Sequence, residues 1–199
     1  MNNENLYESL GGAPEESTSS TIGIFVYVET ESDDITEESL VGIGKARELA
    51  DMLGSGVGVI LLNTANEELG QKLFHAGANK VFQSHDDRFQ NFDTELYCAT
   101  VCELIKAHNP EIFLSPSSLR TIDFIPRVAQ RLQTGLVSGC VALEIDTMER
   151  LLLATRPIYA GKMHEVHVSE THPQIVLLMP ATFPLPIMDE FRQGEIEKI

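Results

Sequence analysis

Long apolar runs are missing from these 199 residues. Runs such as Val57–Leu62 and Ile175–Met179 fall far short of the ~20 residues that a membrane-crossing helix needs, which excludes a helical span. The opening also lacks positive charge. Residues 1–38 hold ten of the 30 acids and no Lys or Arg, within a net charge of −16. With no basic leader ahead of an apolar stretch and a cleavage site, the expected location is cytoplasmic. Such acidity repels phosphate backbones and anionic lipid heads, so nucleic acid and membrane surfaces are excluded as partners. Residues 1–20, polar and small, read as a disordered acidic tail, with a docking arm for a basic partner as the other reading.

Cysteine is scarce. There are three, an odd number for a disulfide framework, and no Cys-x-x-Cys pair. Cys98 and Cys102 lie four apart on a predicted helix and share a face. Packing thiols are the default reading, and a reactive or iron–sulfur role is the alternative.

The phosphate fingerprints are missing too. Gly54-Ser55-Gly56-Val57-Gly58 is rich in glycine, but it precedes a strand instead of opening a helix. No Lys follows a glycine loop in the Walker manner. His164 and His167 lie three apart on a predicted strand, so they point to opposite faces and cannot chelate one ion. No metal ligand set, nucleophile elbow or Cys–His pair is assignable. The chain therefore reads as non-catalytic.

What is present is a rhythm of strand and helix. Strands are expected over Ile22–Val28, Val57–Asn63, Asn79–Ser84 and Glu111–Leu114. Helices follow them: one from about Glu37 to Leu53 capped by Thr36 or Asp34, one over Glu67–His75, one over Asp93–His108, and one over Asp123–Leu132 with Pro126 in its first turn. Four such alternations with short connections predict an α/β three-layer sandwich with a parallel sheet, over roughly residues 21–180. After Leu136 the rhythm breaks into strand-like segments without helices, which predicts an antiparallel extension. The proline-rich stretch Phe183-Pro184-Leu185-Pro186 and the charged residues after it read as a linker or tail, 181–199.

A ligand of such a sheet belongs at the carboxyl ends of its strands. The loop Ser115–Thr121 there offers Ser117, Ser118 and Arg120 for a phosphate, but no glycine for close approach. Plain helix capping is the competing reading of those residues.

Several segments, laid in order, resemble the alpha subunit of electron transfer flavoproteins. Phe25-Val26-Tyr27-Val28-Glu29 is similar to that family's opening strand, and Gly44-Lys45-Ala46-Arg47-Glu48-Leu49-Ala50 to its first helix. Gly77-Ala78-Asn79-Lys80-Val81 resembles its Gly-Ala-Asp-Lys-Val step. Pro126-Arg127-Val128-Ala129-Gln130-Arg131-Leu132, then Thr134-Gly135-Leu136 and Cys140, follow its pattern. So do Thr155-Arg156-Pro157 with Tyr159 and Gly161, His172-Pro173-Gln174, and Arg192-Gln193-Gly194-Glu195. Three loops differ: Thr121-Ile122-Asp123 stands for Gly-Arg-Asp, Ala160-Gly161-Lys162 for Gly-Gly-Asn, and Met179-Pro180-Ala181 for Arg-Pro-Gly.

The resemblance covers about residues 22–199 and implies a Rossmann-like fold of the adenine nucleotide alpha hydrolase type. It further implies a non-catalytic electron-transfer subunit that packs against a beta-type subunit. FAD would be held mainly by a second domain or by a separate FAD-binding chain. On this side, Arg156, Tyr159 and Gly161 are the expected flavin or interface contacts, with a pairing of Arg156 to a carboxylate as the other reading. A stand-alone module that binds an adenine nucleotide such as AMP through Ser117, Ser118 and Arg120 is the alternative function.

Overall fold

The computed structural model describes residues 21–199 apart from Asn63, Ala65, Glu67 and His85, so the expected tail over 1–20 lies outside the described residues. Strand β1 (Ile22–Tyr27) leads into a small hairpin of β2 (Thr30–Glu31) and β3 (Asp34–Ile35), then helix α1 (Glu37–Leu53). β4 (Gly56–Leu61), α2 (Glu68–Ala76), β5 (Lys80–Gln83), a 3-10 turn at Asp87–Gln90 and α3 (Thr94–His108) follow. β6 (Ile112–Pro116) and α4 (Leu119–Leu132) complete the alternation. Six strands come after: β7 (Leu136–Cys140), β8 (Ala142–Asp146), β9 (Leu151–Ile158), β10 (Met163–His167), β11 (Gln174–Leu178) and β12 (Glu195–Lys198).

Seven strands form one sheet in the order β12-β5-β4-β1-β6-β11-β7, and every pairing in it is parallel. The period of two in β1 feeds two cores. Ile24, Val26 and Val28 pack with α1 and α2 on one face, while Phe25 and Tyr27 pack with α3 and α4 on the other. The three-layer α/β sandwich expected from the alternation is therefore what the chain builds. The antiparallel part is a separate sheet, β10-β9-β8. The first strand-like stretch after Leu136 splits at Val141, so β7 stays in the parallel sheet and β8 turns back. Bidentate bonds from Arg150 to Glu111, both 2.6 Å, tie this small sheet to the residue just before β6. Gln174 secures it further by accepting from the Leu152 N–H (2.7 Å) and donating to the Arg150 carbonyl (3.0 Å).

Helix starts follow cap chemistry. Thr36 caps α1 and Asp93 caps α3, each accepting a backbone N–H, and Gly54 closes α1 at φ 64. The start expected for α4 needs correction: the helix begins at Leu119, not Asp123. Ser118 and Thr121 form a capping box four residues earlier, satisfying the first N–H groups there. Pro126 consequently sits inside the helix. Its missing donor faces Ile122, which is exposed, so the lost bond falls on the solvent side.

The reading of 181–199 as a linker or tail also needs correction. The segment runs back over α1 and α2 as a strap and ends as strand β12. The Asp189 N–H donates to the His75 carbonyl (2.8 Å), and Glu195 to that of Asn79 (3.1 Å). Lys80 pairs with Glu197 at 2.7 Å and with Glu195 at 3.4 Å. Glycines permit the close approach: a Cβ on Gly44 would lie 2.8 Å from Pro186, and one on Gly194 would lie 2.5 Å from both the Asn79 carbonyl and the Phe74 ring. The prolines read as sheet breakers do stay out of the sheet, but the residues after them have no such bar. Gly194→Ala is expected to lower stability by about 1–3 kcal/mol, the usual cost of overpacking. Thermal or urea unfolding measures it, and an unchanged midpoint would show that the strap is not seated.

Candidate functional site

The strand order reverses direction at β1. The chain moves outward from β1 to β4 and β5, then crosses to β6 on the other side. The crevice between the carboxyl ends of β1 and β6 is thus the switch point where this architecture receives ligands. It opens as a cavity of about 390 Å³ lined by Glu29, Thr30, Glu31, Ser32, Thr36, Ser118, Leu119 and Arg120.

Of the residues read as a phosphate loop, only Ser118 and Arg120 line this cavity. Ser118 is committed to its helix: its Oγ accepts from the Thr121 N–H (3.1 Å), and its N–H donates to Thr121 Oγ1 (2.8 Å). Thr121 Oγ1 in turn donates to the Pro116 carbonyl at 2.6 Å. The Ser117 N–H donates to the Leu178 carbonyl (3.0 Å). These bonds cap α4 and close the loop before it.

The crevice also holds a carboxylate. Glu29 follows β1, is 7% exposed, and has an Oε1 with no hydrogen-bond partner. Burial raises its carboxyl above the ordinary range, and Glu38 adds to this, while the Ser118 hydrogen bond and the Arg120 charge pull it down. A phosphate entering here would meet that acid beneath Arg120. Glu29 was visible in the sequence only as a charge ending an uncharged strand.

The residues expected to contact flavin or a partner lie on the β9–β10 hairpin. Val141 donates to the Thr155 carbonyl (2.9 Å), and Ala142 is the last β8 partner of β9. Beyond Thr155, β9 continues with β10 alone, past the turn that ends β7. Arg156 lies in this arm, and Tyr159 and Gly161 are at its tip. Tyr159 is 74% exposed, and Tyr159, Ala160 and Gly161 hold φ of 49, 55 and 82 in succession. Two non-glycine residues in the left-handed region form an uncommon, strained tip.

Arg156 faces a carboxylate, as its second reading held. Its Nε lies 3.3 Å from Glu165 Oε1, the residue directly across on β10, and His167 Nε2 lies 2.7 Å from the same oxygen. The structure brings Arg156, Glu165 and His167 together on one face and leaves His164 on the other. No group of three metal-ligating side chains occurs among the described residues. All three cysteines are buried, and burial pushes the Cys102 and Cys140 thiols up to about 11, which suits packing. No helix among the described residues is long and apolar enough to cross a membrane.

The small sheet shows a second surface. Its inner face puts Leu143, Leu152 and Ala154 into the core. The outer face presents Leu151, Leu153, Pro157, Val166 and Val168, none of them fully buried, with Val166 57% and Val168 49% exposed, and Glu144, Asp146, Thr155 and His164 share that face.

Comparison with known proteins fits this geometry. A model of the electron transfer flavoprotein domain matches residues 24–199. The chain belongs to the electron transfer flavoprotein family. It is 33% identical over 180 residues to the electron transfer flavoprotein subunit alpha of Clostridium acetobutylicum, covering 89% of this chain and 54% of that protein. With the alpha subunit of Megasphaera elsdenii the identity is 32% over 175 residues, 87% of this chain and 52% of the relative. A subunit of a lactate dehydrogenase (NAD(+),ferredoxin), LctC of Acetobacterium woodii, is 30% identical over 176 residues, 88% and 42% respectively. The chain spans about half the length of the curated relatives it matches. The family carries flavin. The β1–α1 connection is a hairpin instead of a glycine turn, the β6–α4 loop is spent on capping, and a buried acid occupies the crevice.

Glu29 supplies a pH test. With its carboxyl raised in the folded state, its contribution to stability is complete below its ordinary value of 4.5 and is lost as pH rises through the raised value. Glu29→Gln is therefore expected to melt higher than the parent at neutral pH, with the gap closing under acid. Melting curves across pH check this; a lower midpoint for Glu29→Gln at pH 7 would contradict it.

Proposed function

We propose that this chain is the scaffolding, alpha-type component of a flavin-based electron-transfer complex, and that it works joined to a beta-type subunit. One observation carries the reading: an antiparallel sheet whose inner face packs into the core and whose outer face leaves Val166 and Val168 half exposed, rimmed by Glu144, Asp146 and His164, extended by an arm past the parallel sheet. Exposed apolar residues of this number on one small sheet are typical of an interface, not of a free surface. The family's membership supplies the kind of partner. The flavin, in this reading, is held by a second domain or a separate chain, and the arm only flanks it. Arg156, already balanced by Glu165, then acts by positioning and local charge, with Tyr159 and Gly161 as the tip that meets the neighbour. The domain over 21–180 with its strap over 181–199 is the unit that docks.

The rival reading as a free nucleotide module draws on the crevice alone, where the hydroxyls are engaged and Glu29 opposes an anion. Nothing in the comparisons favours it.

Co-expression with the beta-type subunit of the same genome is expected to give a stable complex. Val166→Asp should weaken it about tenfold or more, as loss of a buried interface anchor does, while leaving the melting point of the isolated chain nearly unchanged. A complex indifferent to Val166→Asp, or no complex at all, would overturn the docking surface. The chain purified alone is expected to be colourless or to hold far less than one FAD per molecule by its visible spectrum. A yellow protein with stoichiometric FAD would show that the cofactor is gripped here.

A further inference from the structure

A second cavity opens beside the switch-point crevice, at the carboxyl ends of β6 and β11. It is about 150 Å³ in volume, and its walls are Val41, Pro116, Leu178, Met179, Pro180 and Phe183. Glu37 and Glu38 stand at its edge, and Ala181 completes it. Small-molecule sites usually take roughly 300–1,000 Å³, so this one has room for a single side chain.

Its chemistry has two parts. The walls are apolar, contributed by the first turns of α1, the ends of two strands and the start of the strap. The rim is anionic: Glu37 and Glu38 are both exposed, and neither forms an ion pair among the described residues. The positive end of α1 explains why acids sit there, but it leaves their outer oxygens free to accept. Ala181 holds the wall with φ 56, a conformation uncommon for a residue with a Cβ. Met179 lines the cavity beside the two glutamates.

We propose that this cavity receives an arginine side chain from a protein partner. The methylene stem would lie along Val41, Leu178 and Phe183, and the planar guanidinium would reach the carboxylates of Glu37 and Glu38. Charge complementarity selects a cation, and the apolar depth selects a long stem over a metal ion or a small amine. The position selects a protein. The Met179 N–H donates to the Cys140 carbonyl at 2.9 Å, and the next residue, Val141, donates to the carbonyl of Thr155, where β9 leaves β8 for the arm, also at 2.9 Å. The cavity therefore lies beside the base of the hairpin arm, and a surface docked on that arm would extend over it. The identity of the partner rests on the reading above; the chemistry of the cavity does not.

The test uses the purified chain and a defined probe, so it is independent of whether any subunit binds. Amide resonances would be followed by NMR during titration with N-acetyl-arginine amide, and with N-acetyl-citrulline amide as its uncharged counterpart. Saturable shifts are expected at Val41, Leu178 and Ala181 with the arginine probe. The citrulline probe should bind about tenfold more weakly, as loss of a charge-assisted hydrogen bond predicts. Replacing both Glu37 and Glu38 by Gln should weaken the arginine probe to a similar degree. Because those acids also support the start of α1, Met179→Arg provides a second variant, which fills the cavity from within and should abolish binding. Equal binding of the two probes, shifts that do not saturate, or binding undisturbed by Met179→Arg would each overturn the proposal.

Discussion

Strand β1 is buried on both faces and bonded along both edges, and the other elements take their places from that. Its neighbours β4 and β6 leave it no free backbone edge, and its side chains alternate between two cores with exposures of 0–1% from Ile24 to Val28. A strand in that position must be uncharged throughout, and the first charge can come only where the sheet ends. Glu29 is that residue. The carboxyl edge then collects what the core excludes: a buried acid, an exposed arginine, the capped start of α4 and the acidic start of α1.

The two sheets divide the work. The parallel sheet is closed on both faces by helices and bounded at one edge by the strap, whose outer strand carries Glu195, Glu197 and Lys198 to discourage further pairing. The antiparallel sheet is anchored through Arg150, Glu111 and Gln174, and finished on one face only. The second sheet adds Leu143, Leu152 and Ala154 to the shared core and presents exposed valines and a strained tip on its other side. An interface built on such an arm keeps its residues in register, because the anchoring ion pair and the Gln174 bonds lie at the opposite end from the tip.

Much of the fold was legible because local rules agreed with the global ones. Uncharged β-branched runs, helical spacing of apolar residues and side chains such as Thr36 and Asp93 all act over a few residues, and each pointed to the element that forms. The reading lost accuracy where two local signals competed. Pro126 suggested a first turn, whereas the reciprocal Ser118–Thr121 bonds started α4 four residues earlier. The prolines at 184 and 186 suggested a linker, yet the glycines at 44, 70 and 194 let the same segment lie flat on its own domain. Of the candidate site, Arg156, Tyr159 and Gly161 share an arm, Ser118 caps α4, and the Ser117 N–H bonds the end of β11.

The sequence by itself determined the α/β class, the two-sided burial of the parallel strands and the negative charge, since periodicity and composition act without regard to distant partners. Only the tertiary structure decided that β7 and β11 join the parallel sheet, that the strap becomes an edge strand, and that Glu37 and Glu38 meet Met179 and Phe183 around one cavity. Those outcomes depend on which distant backbones approach within hydrogen-bonding or van der Waals range. That is set by the packing of whole layers, not by any short stretch of residues.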